Sequence, residues 1–177
     1  MATIRKLDNQ TINSIAAGEV VERPASVAKE LIDNALDAGA SIIRLSLEGG
    51  GIKMLEVEDD GCGMSAADAA LSLESHATSK LTTVDDLLSI ETMGFRGEAL
   101  ASIAAVSRLE LRTRLIGSDS GSRLLVEGGK LVSSESAGMK EGTTVTVRDL
   151  FFNTPARFKF LKTDRTESSA LVDMVGR

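Results

Sequence analysis

Pro24 and Gly39 bracket the segment that most constrains the fold. Proline suits the first turn of a helix, where its missing N–H costs nothing. Val27, Ala28, Leu31, Ile32, Ala35 and Leu36 then recur at helical spacing and make one apolar stripe. Gly39 is a natural C-terminal stop. Such a helix needs a surface to pack on, and the next residues supply it. Residues 41–48 alternate, with Ile43, Leu45 and Leu47 on one face. Gly49, Gly50 and Gly51 make a flexible turn, and residues 52–58 read as a second strand with Ile52, Met54 and Val57 inward. The segment is therefore expected to be a helix followed by an antiparallel hairpin.

A tight loop at residues 59–63 follows. Ser65 and Asp68 then form a capping pattern that opens a helix to about Glu74. Residues 75–97 show only a short helical patch at 84–90, and a segment of that kind inside a compact domain reads as a mobile functional loop. Residues 98–106 form an alanine-rich helix. Residues 109–115, 122–127, 131–136 and 143–148 are strands between glycine-bearing turns, and residues 167–176 close with a helix. Hairpins outnumber crossovers. The expected class is α+β, a two-layer sandwich with helices on one face of a mixed, mostly antiparallel sheet. No repeat or proline-rich linker divides the 177 residues, so residues 1–177 read as one domain.

Composition narrows the function. With 42% hydrophobic and 26% charged residues the chain has globular values. No run of 18 apolar residues exists, so no transmembrane helix and no membrane partner are expected. Residues 1–9 lack the apolar core of a signal peptide. A lone cysteine, Cys62, rules out an internal disulfide and a cysteine-built zinc site, and a reducing, cytoplasmic setting follows. The net charge of −6 argues against coating DNA by charge alone. The balance is uneven, however: residues 1–100 hold 8 Lys and Arg against 17 Asp and Glu, and residues 101–177 hold 12 against 9. A phosphate-facing surface belongs with the second half. No Trp or Tyr and only 5 Phe leave few platforms for stacking bases.

Several residues carry possible chemistry. Glu30 and Asn34 are one turn apart on the 24–38 helix, beside the apolar stripe. The carboxylate can take a proton from water, and the amide oxygen can ligate a hard cation such as Mg2+. The same spacing also suits a plain solvated face with Asp33 and Asp37. In Asp59-Asp60-Gly61-Cys62-Gly63 the glycines let backbone approach a ligand, and Asp59 at a strand end can accept from an amine such as that of adenine; an ordinary acidic turn has the same composition. Gly94-Phe95-Arg96-Gly97-Glu98 precedes a helix, where free N–H groups favour phosphate and Arg96 adds a clamp, unless it is a plain loop. His76, the only histidine, lacks partners at the spacing of a metal site or triad. Cys62 sits among acids and glycines and is a poor nucleophile. Arg157, Lys159, Lys162 and Arg165 form a basic run that equally suits a solvated face.

Taken in order, Glu30-x-x-x-Asn34, Asp59-x-Gly61-x-Gly63, a glycine-bearing loop and Gly142-Thr143 resemble the nucleotide site of the GHKL ATPases, which group gyrase B, Hsp90, histidine kinases and MutL. Longer strings are similar to the MutL family of DNA mismatch-repair proteins: Ile15-Ala-Ala-Gly-Glu-Val-Val-Glu-Arg-Pro24, Leu36-Asp-Ala-Gly39, His76-Ala-Thr-Ser-Lys80, Gly94-Phe-Arg-Gly-Glu-Ala-Leu100 and Asn153-Thr-Pro-Ala-Arg157. The resemblance implies ATP and Mg2+ as ligands. It implies Glu30 as general base, Asn34 as the Mg2+ ligand, Asp59 as acceptor of the adenine amine with Thr143 in support, and Gly63 as the point where the base approaches closely. Thr78, Ser79, Lys80, Gly94, Arg96, Gly97 and Leu100 would belong to an ATP lid at about 75–100. Position 60 is Asp where Asn is the commoner residue of the motif, which puts an extra charge near a polyphosphate.

The resemblance further implies slow hydrolysis that works as a conformational switch, with self-association on ATP binding in the full-length protein. Mismatch-recognition and other repair proteins would be partners, together with DNA, weakly and through residues 101–177. The setting would be a bacterial cytoplasm, at the nucleoid during repair. The family continues into a second subdomain that supplies a lysine to the γ-phosphate, so the 177 residues read as a truncated piece that binds ATP and hydrolyses it poorly. The alternative is a module that binds nucleotide, DNA or a protein partner without turnover.

Overall fold

A computed structural model describes residues 4–74 and 98–176. The first helix, α1 (Asn9–Val20), is not apparent from the residue pattern. Asp8 caps it, accepting from the Thr11 amide at 2.7 Å, and it packs on α4 (Ala99–Ala105) through buried Ala17. Helix α2 (Pro24–Asp37) starts at the proline as expected and ends before Gly39, whose φ of 74° is left-handed. Its stripe buries Val27, Ala28, Leu31 and Ala35. Leu36, expected inward, is 58% exposed, because it lies past the edge of the face that meets the sheet.

Strand β1 (Ile43–Glu48) leads into a 3-10 turn at Gly49–Gly51, and β2 (Met54–Asp59) returns. The triglycine is packed rather than loose. Gly50 and Gly51 are buried, and a Cβ at Gly50 would meet the Asp164 backbone at 2.7 Å. This turn uses two residues more than expected, and β2 begins at Met54. Its inward face is also one residue out of phase with the expected one, carrying Leu55 and Val57 instead of Ile52 and Met54. A shift of one residue exchanges the faces of a strand. Helix α3 (Ala66–Ser72) follows, with the Asp68 amide donating to the Ser65 hydroxyl at 3.1 Å.

Strands β3 (Arg108–Arg114), β4 (Gly121–Glu127), β5 (Lys130–Ala137) and β6 (Gly142–Arg148) complete a six-stranded sheet in the order β1-β2-β6-β3-β4-β5. All of its pairings are antiparallel, so the mixed character expected from sequence is not found among the described residues. The short helix α5 (Pro155–Phe158) and α6 (Asp164–Val175) close the chain. Helix α6 starts three residues before the expected boundary because Thr163 accepts from the Thr166 amide and caps it.

The register sorts the sheet into rows. Leu47, Leu55, Val147, Leu109 and Val126 stand abreast, as do Leu45, Val57, Val145, Leu111 and Leu124. These rows meet the helices and form the core, which gives the expected α+β two-layer architecture. The opposite face carries Arg44, Glu58, Arg112, Arg123 and Glu135 in one row, where Arg123 bridges Glu110 and Glu135 at 2.7 Å each. Among the described residues no helix is long and apolar enough to cross a membrane.

Candidate functional site

One step beyond the apolar rows, the same inward face turns polar. Ile43, Asp59, Thr143, Thr113 and Ser122 stand abreast at the ends of β1, β2, β6, β3 and β4. The register thus brings Asp59 and Thr143, 84 positions apart in the chain, into direct pairing. Asp59 is half-buried, and burial pushes its carboxyl above the ordinary value of 3.8. Backbone bonds from Gly61 and Thr143 pull it back down, and the Asp60 and Glu58 charges push it up. The Gly61 amide donates to Asp59 Oδ1 at 2.9 Å. A half-desolvated acceptor at the rim of a core is suited to take a hydrogen bond from a ligand amine.

Thr113 was not singled out in the sequence, yet it organises this row. It is fully buried, and its Oγ1 accepts from the Met64 amide at 2.9 Å. The same hydroxyl donates to the Gly142 carbonyl at 3.2 Å and lies 2.9 Å from Thr143 Oγ1. A hydroxyl has one proton and two lone pairs. Donation to Gly142 therefore makes Thr143 the donor to Thr113, which saturates Thr113. It leaves the half-buried Thr143 oxygen as an acceptor facing the same space as Asp59. The usable signal was parity, since Thr113 shares a face with Leu109 and Leu111.

Two glycines permit the close packing of this end. Gly142 has φ of 116° and a Cβ there would overlap the Asp59 carbonyl oxygen. Gly63 has φ of 67° and a Cβ would overlap the carbonyl of Arg114, so the nearest demand on Gly63 comes from the end of β3. The extra charge at position 60 has its own partners. Asp60 Oδ1 accepts from the Ser41 and Ile42 amides at 2.7 and 2.8 Å, and these bonds, Ile42 foremost, hold its carboxyl below the ordinary range. The carboxylate ties the loop to the α2–β1 connection.

Helix α2 reaches this row through its C-terminal turn. The Cys62 amide donates to the Ala38 carbonyl at 2.9 Å, and the Ala38 amide donates to the Asn34 carbonyl at 3.0 Å. Asn34 thus sits one turn before the Asp59–Gly63 loop and Glu30 two turns before it, both half-buried. On the exposed flank Lys29 and Asp33 pair at 2.6 Å. Among the described residues no three His, Cys, Asp or Glu side chains gather as metal ligands. The donor set is one amide oxygen beside one carboxylate. That fits a hard cation held mainly by phosphate and water oxygens, not one held by the protein alone.

Thr78, Ser79, Lys80, Gly94, Arg96 and Gly97 lie outside the described residues, as does His76. Of the expected lid at about 75–100, only residues 98–100 are described. Ala99 and Leu100 open α4, with Ala99 buried and Leu100 packed half-buried against the core. In the basic run Lys159, Lys162 and Arg165 are exposed, while Arg157 turns inward and donates from Nη1 to the Val21 carbonyl at 2.9 Å. Cys62 is exposed.

Residues 22–147 match the family model described as histidine kinase-, DNA gyrase B-, and HSP90-like ATPase. The DNA mismatch repair protein MutL of Desulforudis audaxviator is 56% identical over 177 residues, 100% of this chain and 31% of that protein. The one from Geobacter sulfurreducens is 57% identical over 174 residues, 98% of this chain and 29% of that protein. The chain therefore spans less than a third of the length of these curated relatives. Among solved structures, the Aquifex aeolicus MutL ATPase domain complexed with ADP is 33% identical with a TM-score of 0.67, covering 88% of this chain and 54% of that one. A crystal structure of the N-terminal domain of a DNA repair protein reaches a TM-score of 0.76 at 28% identity, covering 93% of this chain and 47% of that one.

Proposed function

Because the chain belongs to the histidine kinase-, DNA gyrase B-, and HSP90-like ATPase family, in the branch of the MutL N-terminal regions, we propose that it binds ATP with Mg2+ at the polar end of its sheet. The observation that carries this reading is the Asp59–Thr143–Thr113 row, set against the last turn of α2. Asp59 accepts the adenine amine, with the Thr143 oxygen as the second acceptor. Asn34 offers its amide oxygen to the cation, which supplies charge neutralisation at the phosphates when bound. Glu30 takes the proton of the attacking water. Phosphoryl transfer asks for positioning and charge stabilisation more than covalent help, and a site of one carboxylate, one amide and many N–H donors matches that demand. Thr78, Ser79, Lys80, Gly94, Arg96, Gly97 and Leu100 complete the phosphate side as a lid.

Hydrolysis is slow and serves as a switch: ATP stabilises one arrangement of the longer protein by binding it more tightly than the other. In that protein the switch drives self-association and recruits mismatch-recognition and other repair proteins in the bacterial cytoplasm. Exposed Lys159, Lys162 and Arg165 give residues 101–177 a weak DNA-facing surface, whose affinity falls as salt rises. In the longer protein Glu30→Ala keeps ATP affinity and loses turnover by about 100-fold or more, the typical contribution of a general base. Equal loss of both would contradict the role of Glu30. For residues 1–177 alone, binding without efficient hydrolysis is the expected outcome.

A further inference from the structure

Helix α2 is held at both ends, by different parts of the chain. At its C-terminal end the Cys62 amide donates to the Ala38 carbonyl, and Gly61 packs against Ala38. At its N-terminal end no side chain caps the first turn. The hold comes instead from residues more than 130 positions away. Arg157 donates to the Val21 carbonyl at 2.9 Å, and Arg23 Nε donates to Glu167 Oε2 on α6 at 3.1 Å. Glu167 Oε1 accepts from the Lys162 amide at 2.9 Å. Glu167 is only 1% exposed, and among the described residues it is the one charged side chain in the buried core.

A carboxylate taken out of water is tolerated only where its bonds are good, so it fixes its partners in direction as well as distance. Arg23 is the residue immediately before Pro24, where α2 begins. We propose that Glu167 is a positioning residue for Glu30, acting through Arg23 on the N-terminal end of α2. The inference rests on the reading of Glu30 as general base and of Asp59 as the adenine acceptor.

The geometry gives the effect a direction. Ala38 is fixed to the loop after Asp59, so release of the Arg23 end tilts α2 about its C-terminal turn. Glu30 lies eight residues from Ala38 and Asn34 four, about 12 and about 6 Å along the helix. A tilt therefore moves Glu30 about twice as far as Asn34 and leaves Asp59, held in the sheet, in place. Displacement of a reacting group by about 1 Å can cost on the order of 100-fold in rate.

The test uses the full-length protein and compares Arg23→Ala, Arg23→Lys, Glu167→Gln and the double variant Arg23→Ala/Glu167→Gln. Turnover of ATP, affinity for ADP without metal, and Tm are measured, with turnover taken well below Tm. The proposal expects kcat to fall about tenfold or more in Arg23→Ala and in Glu167→Gln. ADP affinity stays within about twofold, the double variant is no slower than the worse single one, and Arg23→Lys recovers part of the rate by restoring a donor. A lowered Tm with unchanged kcat would overturn it, as would ADP affinity falling in step with kcat. Glu30→Ala in the same protein separates the two layers. Turnover that survives Glu30→Ala refutes the general-base reading itself. Turnover lost with Glu30→Ala but untouched by Arg23→Ala refutes only the positioning role.

Discussion

Two adjacent rows of the same sheet face meet opposite ends. The row through Val57, Val145 and Leu111 is closed over by helices and is pure packing. One pleat further, the row through Asp59, Thr143 and Thr113 has the same strands, the same partners and the same inward direction, yet presents oxygen atoms. The difference lies in what closes over each row. Above the first, α2 buries Val27, Leu31 and Ala35. Beside the second lies only the C-terminal turn of α2, tied to the Asp59–Gly63 loop by the Cys62 amide. The polar row is held by the same strand pairings as the core, while Asp59 and Thr143 remain only half-buried among the described residues. Ordinary sheet register thereby fixes the Asp59, Thr143 and Thr113 side chains relative to one another.

If that comparison is right, substitutions in the two rows separate stability from binding. The largest effect belongs to the apolar row. Leu111→Ala empties a fully buried position and should cost about 2–5 kcal/mol in denaturant unfolding, with nucleotide affinity unchanged wherever the protein remains folded. Next comes Asp59→Asn, which keeps an acceptor for the Gly61 amide but loses the charged acceptor for the ligand. A hydrogen bond to a charged group is worth about 1.5–3 kcal/mol, so affinity should fall roughly 10- to 100-fold by calorimetric titration.

Stability moves the other way at that residue. Burial raises the Asp59 carboxyl above 3.8 in the folded chain, so the native state holds the proton more tightly than the unfolded one. Stability is then lost as pH rises through that window. At pH 7 Asp59→Asn should melt no lower than the parent, and the gap should close as pH falls toward 3.8. A variant that melts lower at pH 7 would show that the Asp59 charge is structural. Thr113→Val acts on both scales, because it strands the Met64 amide and the Thr143 hydroxyl. It should cost about 1–3 kcal/mol and weaken nucleotide binding less than Asp59→Asn does. Smallest is Arg123→Ala on the outer face, where water and salt screen the ion pairs to Glu110 and Glu135; Tm should barely move and binding should be unchanged.

Much of this was legible in the residues, for identifiable reasons. The strands at 109–115, 122–127 and 143–148 alternate cleanly because one face is core and the other is solvated, and their boundaries fall within about a residue of those found. Asp59 and Thr143 were reachable because glycines flank them at spacings that the family resemblance made meaningful. Thr113 was not, because a threonine in a strand is ordinary until the register places it beside Thr143. Helix α1 was missed because Ala17 and Val21 alone make a thin stripe, and the helix owes its place to α4 and to Arg157 against Gly18. The start of β2 was misplaced because the triglycine turn winds once as a 3-10 helix, which no spacing rule anticipates. The Arg23–Glu167 pair joins residues 144 positions apart and leaves no local trace.

Nucleotide binding at the polar row is what we propose for this chain. The most direct measurement is Tm with Mg2+ and a non-hydrolysable ATP analogue for the native chain and for Asp59→Ala. At about 100 times its dissociation constant the ligand should add roughly 2.7 kcal/mol to the native chain, a shift that disappears in Asp59→Ala. An equal shift in both proteins would place the nucleotide elsewhere and contradict the account.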